Sequence, residues 1–170
     1  MSNLLALDQA SVTTGYAIFK DGVLDTYNKF TLEDEDLGKR LVSIRRIIIG
    51  LVNKYNIDEI AFEDIQLQNN VGNNVQTFKT LSEVFGVIHE TVIELGIKYT
   101  IVPSLTWKST LGIKGRNRQE QKRDAQRYVI ENYGIKPSQD ICDAICIGNH
   151  ILKKCEMKEK MVDGGFDWSD

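Results

Sequence analysis

The sequence predicts an α/β domain, a mixed five-stranded sheet flanked by helices. Three observations point there. Two compact apolar runs near the N-terminus, Leu4 to Leu7 and Thr14 to Phe19, are strand-like, and Asp21-Gly22 after the second is a strong hairpin signal. Beyond residue 36 the apolar spacing switches to the helical period, and helical and strand-like segments then alternate. The chain finishes in helical segments, so an antiparallel portion is extended by parallel strands joined through helical crossovers.

Asn3 to Asp8 reads as a buried strand, Thr14 to Lys20 as a second, and Val23 to Phe30 as its antiparallel partner. Leu37, Leu41, Ile44, Ile48, Leu51 and Tyr55 fall at helical spacing and predict a helix over about Asp36 to Tyr55. Ile57 to Asp64 is the fourth strand. The stretch QLQNNVGNN that follows is polar and rich in Gly and Asn, hence a loop. Val75, Phe78, Leu81, Val84, Phe85, Ile88, Val92 and Leu95 make a long amphipathic helix closed by Gly96. Lys98 to Val102 is the fifth strand. A short helical piece from Pro103, the basic segment LGIKGRNR, and helices over about Arg118 to Tyr133 and Ser138 to Cys155 complete the order. Residues 1–156 are expected to form one domain and residues 157–170 a mobile tail. Strands one and four should be central neighbours, which puts Asp8 and the Glu63-Asp64 pair at adjacent strand ends on one edge of the sheet.

Composition narrows the class. With 170 residues, 42% hydrophobic and 26% charged, the chain can bury a sizeable core as a single soluble unit. The longest apolar patch, IIIGLV from Ile47 to Val52, is far shorter than a membrane span of about 20 residues. The N-terminus enters a strand without a basic, then apolar, leader, and three cysteines show no disulfide-framework spacing. A cytoplasmic setting and no membrane partner are therefore expected. The net charge of −3 alone disfavours a generic nucleic-acid binder. Its distribution is more informative: Lys108 to Arg127 holds seven basic residues against Glu120 and Asp124, a local +5 that can dock a polyanion. Lys108, Lys114, Arg116, Arg118 and Lys122 are the candidates for that docking.

The chemistry-bearing signal is acidic. Asp8 ends an apolar run, and so does Glu63 in IAFED. Near the C-terminus, SQDICDAICIG places Asp140 and Asp143 three apart, on one face of a helix and among apolar neighbours. Taken singly, Asp8 reads more readily as a turn residue and Asp64 as a solvated neighbour, while Asp140 reads equally as a first-turn residue favoured by the helix dipole. Taken together, converging carboxylates repel one another unless some are protonated or a divalent cation sits among them. An all-oxygen donor set suits Mg²⁺ or Mn²⁺, and two such ions can activate water and stabilise the leaving oxygen in phosphodiester cleavage.

These stretches carry a resemblance. DQASVTTGYA and IAFEDIQ resemble the first two acidic motifs of the RuvC family of Holliday junction resolvases. TWKSTLGIKG resembles its lysine-bearing segment, and QDICDAICIG its last motif. The match runs in order from about Asn3 to His150 and is most similar to the phage-borne branch, as in lactococcal phages. The resemblance implies the ribonuclease-H-like (integrase-type) fold and a homodimeric, Mg²⁺-dependent endonuclease that nicks opposed strands of four-way DNA. It implies two metal ions held by Asp8, Glu63, Asp140 and Asp143, and Lys108 on a phosphate. A second basic position maps to either Arg118 or Lys122. Cellular relatives carry a stacking aromatic after the second acidic motif. Here Gln66 and Leu67 occupy that junction loop, and a looser cleavage-sequence preference is expected.

Other readings remain beside this one. The same fold could act on RNA or flaps, or bind branched DNA without cutting it. An actin-like ATPase would want a Gly where Ala10 stands and a second nucleotide-binding domain. Cys142, Cys146 and His150 form a helical row that reads as buried core more readily than as a zinc site. Trp107 reads as core or as a stacking residue, and His89 as structural. Phe78 and Phe85 read as a dimer seam or as core. Whether a motor partner takes part is left open by the sequence.

Overall fold

The computed structural model describes residues 2–66 and 74–163. Its elements are β1 (Asn3–Asp8), β2 (Thr13–Lys20), β3 (Val23–Thr31), α1 (Leu37–Tyr55), β4 (Glu59–Glu63), α2 (Asn74–Glu94), β5 (Lys98–Val102), α3 (Ser104–Thr110), α4 (Arg118–Tyr133) and α5 (Gln139–Asp163). The strands form one sheet in the order β3-β2-β1-β4-β5. β1, β2 and β3 are antiparallel neighbours, and β4 and β5 add in parallel beside β1. The tight β2–β3 turn uses Asp21 and Gly22, both at positive φ, as an Asp-Gly hairpin requires.

The two-residue period of the central strands sorts their side chains onto two cores. Leu4, Ala6, Ala17, Phe19, Ala61 and Val102 face α3, α4 and α5. Leu5, Leu7, Ile18, Ile60 and Phe62 face α1 and α2, where Ile44, Ile48, Val84, Ile88 and Val92 are buried. The first face is lined with alanines, and α5 lies close upon it. A Cβ on Gly148 would collide with the Phe19 ring, and one on Gly15 with the Asp140 carbonyl. Gly15 pairs with Asp8 in the β1–β2 register, so the absence of a side chain there lets the start of α5 come down beside Asp8.

Two elements differ from the sequence-based expectation by more than one residue at an end. β4 begins at Glu59 because Ile57 still belongs to the exit of α1, its N–H donating to the Val52 carbonyl past the left-handed cap Asn56. α5 continues to Asp163, through the expected tail boundary at 157. Its last turns are exposed and hold strong helix formers without an apolar period, so propensity extends the helix where hydrophobic patterning had ended. The rest of the expected tail, 164–170, and most of the loop after Gln66, Leu67 included, lie outside the described residues. No helix among the described residues is long and apolar enough to cross a membrane.

Candidate metal centre

β1 and β4 run parallel in the register Leu7 with Phe62, so Asp8 and Glu63 are the next pair along, at the same sheet edge. The Gln9 side chain fixes that pairing. Its Oε1 accepts from the Glu63 N–H at 3.1 Å and its Nε2 donates to the Glu63 carbonyl at 2.5 Å. α5 supplies the remaining carboxylates. Asp140 sits in its first turn and Asp143 one turn on, with Asp143 Oδ1 accepting from Gln139 Nε2 at 2.7 Å. Glu63 accepts from the indole N–H of Trp107 at 3.3 Å. All four carboxylates line one cavity of about 520 Å³, together with Ser104, Trp107, Lys108, Arg118, Gln121, Lys122 and Gln139.

The electrostatics of this cavity are out of balance. Burial holds the Asp8 carboxyl well above the usual range, and Asp143, Glu63 and Asp140 push it the same way. Burial raises Glu63 too, against the hydrogen bond from Trp107 and the charge of Lys108. Asp143 is pushed up to about 6, first by burial and then by Glu63 and Asp140, against Gln139 and Lys108. Among the described residues none of the four carboxylates forms a salt bridge. The site therefore favours added positive charge, a proton or a cation.

The donor set fits a hard divalent ion such as Mg²⁺: oxygen only, from rigid strand ends and a helix start, facing open volume. No group of three or more His, Cys, Asp or Glu side chains among the described residues stands ready-made around a single ion position.

The structure divides the basic candidates. Lys108, Arg118 and Lys122 line the carboxylate cavity, so both residues that map to the second basic position are there. Lys114 and Arg116 line another cavity. Asp64 turns away, its Oδ1 accepting from the Ile65 N–H. Trp107 is core, 2% exposed, and its ring lies beneath Lys108 with Nζ 5.2 Å from the centroid. The Cys142 and Cys146 thiols are buried and donate to the Pro137 and Ala125 carbonyls, while His150 bonds Thr110 at 2.9 Å. Phe85 packs against Phe62 in a tilted pair, centroids 5.4 Å apart, and His89 bonds the Tyr99 hydroxyl, so both pack against the sheet from α2.

Four positioning features escaped the sequence reading: Gln9, Gly15, Gln139 and the Trp107–Glu63 hydrogen bond. Only Gln139 left a local sign, its i, i+4 spacing to Asp143 on a helix.

The chain is similar to known proteins over most of its length. The chain is 25% identical over 154 residues to the crossover junction endodeoxyribonuclease RuvC of Ehrlichia canis (strain Jake), covering 85% of this chain and 92% of that protein. It is 25% identical over 163 residues to the RuvC of Sulfurovum sp. (strain NBC37-1), covering 93% and 99%. The solved structure of Thermus thermophilus RuvC in complex with a Holliday junction substrate superposes with a TM-score of 0.71 at 12% identity, over 92% of this chain and 96% of that one. The fold is therefore the ribonuclease-H-like fold of RuvC. Residues 1–157 match the family described as "Lactococcus phage M3 protein", and the chain belongs to that family.

Proposed function

We propose that this chain is a structure-specific endonuclease that resolves four-way or other branched DNA by metal-dependent phosphodiester hydrolysis, nicking opposed strands. One observation carries the reading: four carboxylates from β1, β4 and α5 converge with Lys108 on a single cavity, in a chain with the fold of RuvC. Asp8, Glu63, Asp140 and Asp143 are the residues that would hold Mg²⁺, two ions being the complement that four carboxylates accommodate. Bound there, Mg²⁺, or Mn²⁺ in its place, would supply Lewis-acid activation of water and stabilisation of the leaving oxygen.

The chain's own residues do the rest. Trp107 and Gln139 orient Glu63 and Asp143 by hydrogen bonds at 3.3 and 2.7 Å. Lys108 faces the carboxylates and neutralises a phosphate brought against them. Arg118 and Lys122, exposed at the start of α4, hold the flanking backbone. The small residues that follow β1, Ala10 and Ser11, and Thr13 at the start of β2 leave room for a strand to approach Asp8. Symmetric nicking calls for two copies of the site, so the working form is a homodimer. The outer face of α2, where Val75 and Ile93 are 66% and 59% exposed, is its seam. The setting is the cytoplasm, the host's if a phage encodes the chain.

The test is a cleavage assay over a substrate panel: four-way junction, flap, linear duplex and RNA–DNA hybrid, each with and without Mg²⁺. Paired nicks in the four-way junction that require Mg²⁺ are expected, spread over junctions of varied core sequence because Gln66 and Leu67 replace the stacking aromatic. Cutting confined to RNA or flaps would overturn the substrate assignment, and junction cutting undiminished in EDTA would overturn the metal.

A further inference from the structure

α4 carries basic side chains on two faces. One face, with Arg118 and Lys122, borders the carboxylate cavity. The other borders a separate cavity of about 300 Å³ lined by Lys114, Arg116, Glu120, Arg123, Asp124 and Arg127. Helical spacing puts Arg123 and Arg127 one turn apart on the face turned away from Arg118 and Lys122.

The acids of this second cavity do not balance its bases. Glu120 is spent on the helix start: its Oε2 accepts from the Arg116 N–H at 2.7 Å, while Asn117 caps the Glu120 N–H at 2.9 Å. Asp124 makes only a loose, half-exposed pair with Arg127 at 3.5 Å. No acidic side chain among the described residues engages Lys114, Arg123 or the Arg116 guanidinium. The frame is also rigid. Leu111 and Ile113 anchor the basic loop in the core, and Gln121 Nε2 donates to the Gly115 carbonyl at 3.0 Å. Gly115 lies so close to α4 that a Cβ there would strike Glu120 and Gln121. A preorganised, under-compensated cationic cleft separated from the catalytic one by about a helix diameter, roughly 10 Å, is built for a second stretch of phosphate backbone.

We infer that the cavity formed by Lys114, Arg116, Arg123 and Arg127 grips the phosphate backbone of a DNA arm other than the one being cut. This rests on the branched-DNA reading above. It makes α4 a wedge between two arms, so that recognition of branching is built into one helix of one protomer.

The experiment compares wild type, the double variant Arg123→Gln/Arg127→Gln, and a control of equal charge loss on the far end of α5, Lys158→Gln/Lys160→Gln. Fluorescence anisotropy with Ca²⁺ in place of Mg²⁺ reads binding to a four-way junction and to a linear duplex of equal length, from about 50 to 200 mM salt. Thermal melts verify folding. The α4 variant should bind the junction roughly tenfold more weakly near 0.1 M salt, with a log–log salt slope shallower by about 2, and lose at most about threefold on the linear duplex. The control should behave as wild type. Equal losses on junction and duplex, or an equal loss in the control, overturns the inference. A wild-type protein that neither binds the junction in Ca²⁺ nor cuts it in Mg²⁺ removes the reading beneath it, a distinct result.

Discussion

β4 carries a glutamate at each end, and the two could hardly be treated more differently. Glu59 is 5% exposed, yet Lys98 Nζ at 2.8 Å and Thr100 Oγ1 at 3.1 Å meet its two oxygens. Glu63, four residues on, receives a hydrogen bond from Trp107 but shares its cavity with Asp8, Asp140 and Asp143. Burial alone therefore does not mark a functional carboxylate in this protein. Charge balance does: one end of the strand is neutralised by its own neighbours, and the other is left for something from outside.

The comparison breaks most visibly if the two ends respond alike to neutralisation. Asp8→Asn and Glu63→Gln should each lower Mg²⁺-dependent cleavage roughly a thousandfold, about 4 kcal/mol of lost transition-state stabilisation. Their melting temperatures in EDTA should equal or exceed that of wild type, because each removes a charge that its neighbours repel. Glu59→Gln should keep its cleavage rate once the folded fraction is matched. Cleavage rates and melts on the three variants decide it, and loss of activity only in parallel with loss of folding would end the distinction.

The functional end was the more legible one in the sequence. An apolar run that stops on a carboxylate is visible at Leu7-Asp8 and Phe62-Glu63, and the three-residue spacing of Asp140 and Asp143 is a helical signature. Strand order then followed from the hairpin and the crossovers, and β1 and β5 fall where the pattern placed them. What the sequence could not display are contacts across long separations. Trp107 meets Glu63 over 44 residues, and Gln9 meets the Glu63 backbone over 54. Gly15 matters because α5 needs its missing side chain. The run of bases from Lys108 to Arg127 looked like one patch, and only the path of α4 splits it between two cavities.

The Trp107 contact sharpens the comparison next. Trp107→Phe keeps an aromatic ring in the core but removes the N–H that restrains Glu63. Groups that orient a metal-binding carboxylate typically matter by about 10–100-fold. Mn²⁺ affinity, read by titration, should weaken within that range, and cleavage should recover in part as Mn²⁺ is raised. A variant that loses stability while retaining wild-type Mn²⁺ affinity would reduce Trp107 to packing.

The imbalance also has a pH signature of definite sign. Asp143, pushed up to about 6, and Asp8 and Glu63, raised in the same direction, hold protons more tightly folded than unfolded. Between the ordinary carboxylate range and the folded values, the native state thus binds more protons, and stability falls as pH rises. In EDTA the ionisation of Asp143 alone should cost on the order of 2 kcal/mol between about pH 4 and pH 7, with Asp8 and Glu63 adding in the same direction. Mg²⁺ should flatten that slope, since it substitutes for the protons. Denaturant melts across pH with and without Mg²⁺ measure both, and a metal-free stability that climbs through this window would contradict the assigned cavity.

The smallest effect belongs to the balanced end. Lys98→Met removes the cation but keeps much of the stem that lies along the sheet edge. Glu59 would then stay buried with Thr100 as its remaining partner, a deficit of about 1–3 kcal/mol. The Lys98 side chain is 69% exposed, so water recovers part of that and the lower figure is the better expectation. Adding Glu59→Gln to Lys98→Met should then return some stability, because an amide tolerates the site better than an unpaired carboxylate. At Glu63 the same change to Gln costs cleavage instead, because the carboxylate itself is what the cavity requires. A double-mutant cycle in denaturant, run beside cleavage assays, separates the two ends: coupling in stability with none in activity for Glu59, and the reverse for Glu63 and Trp107.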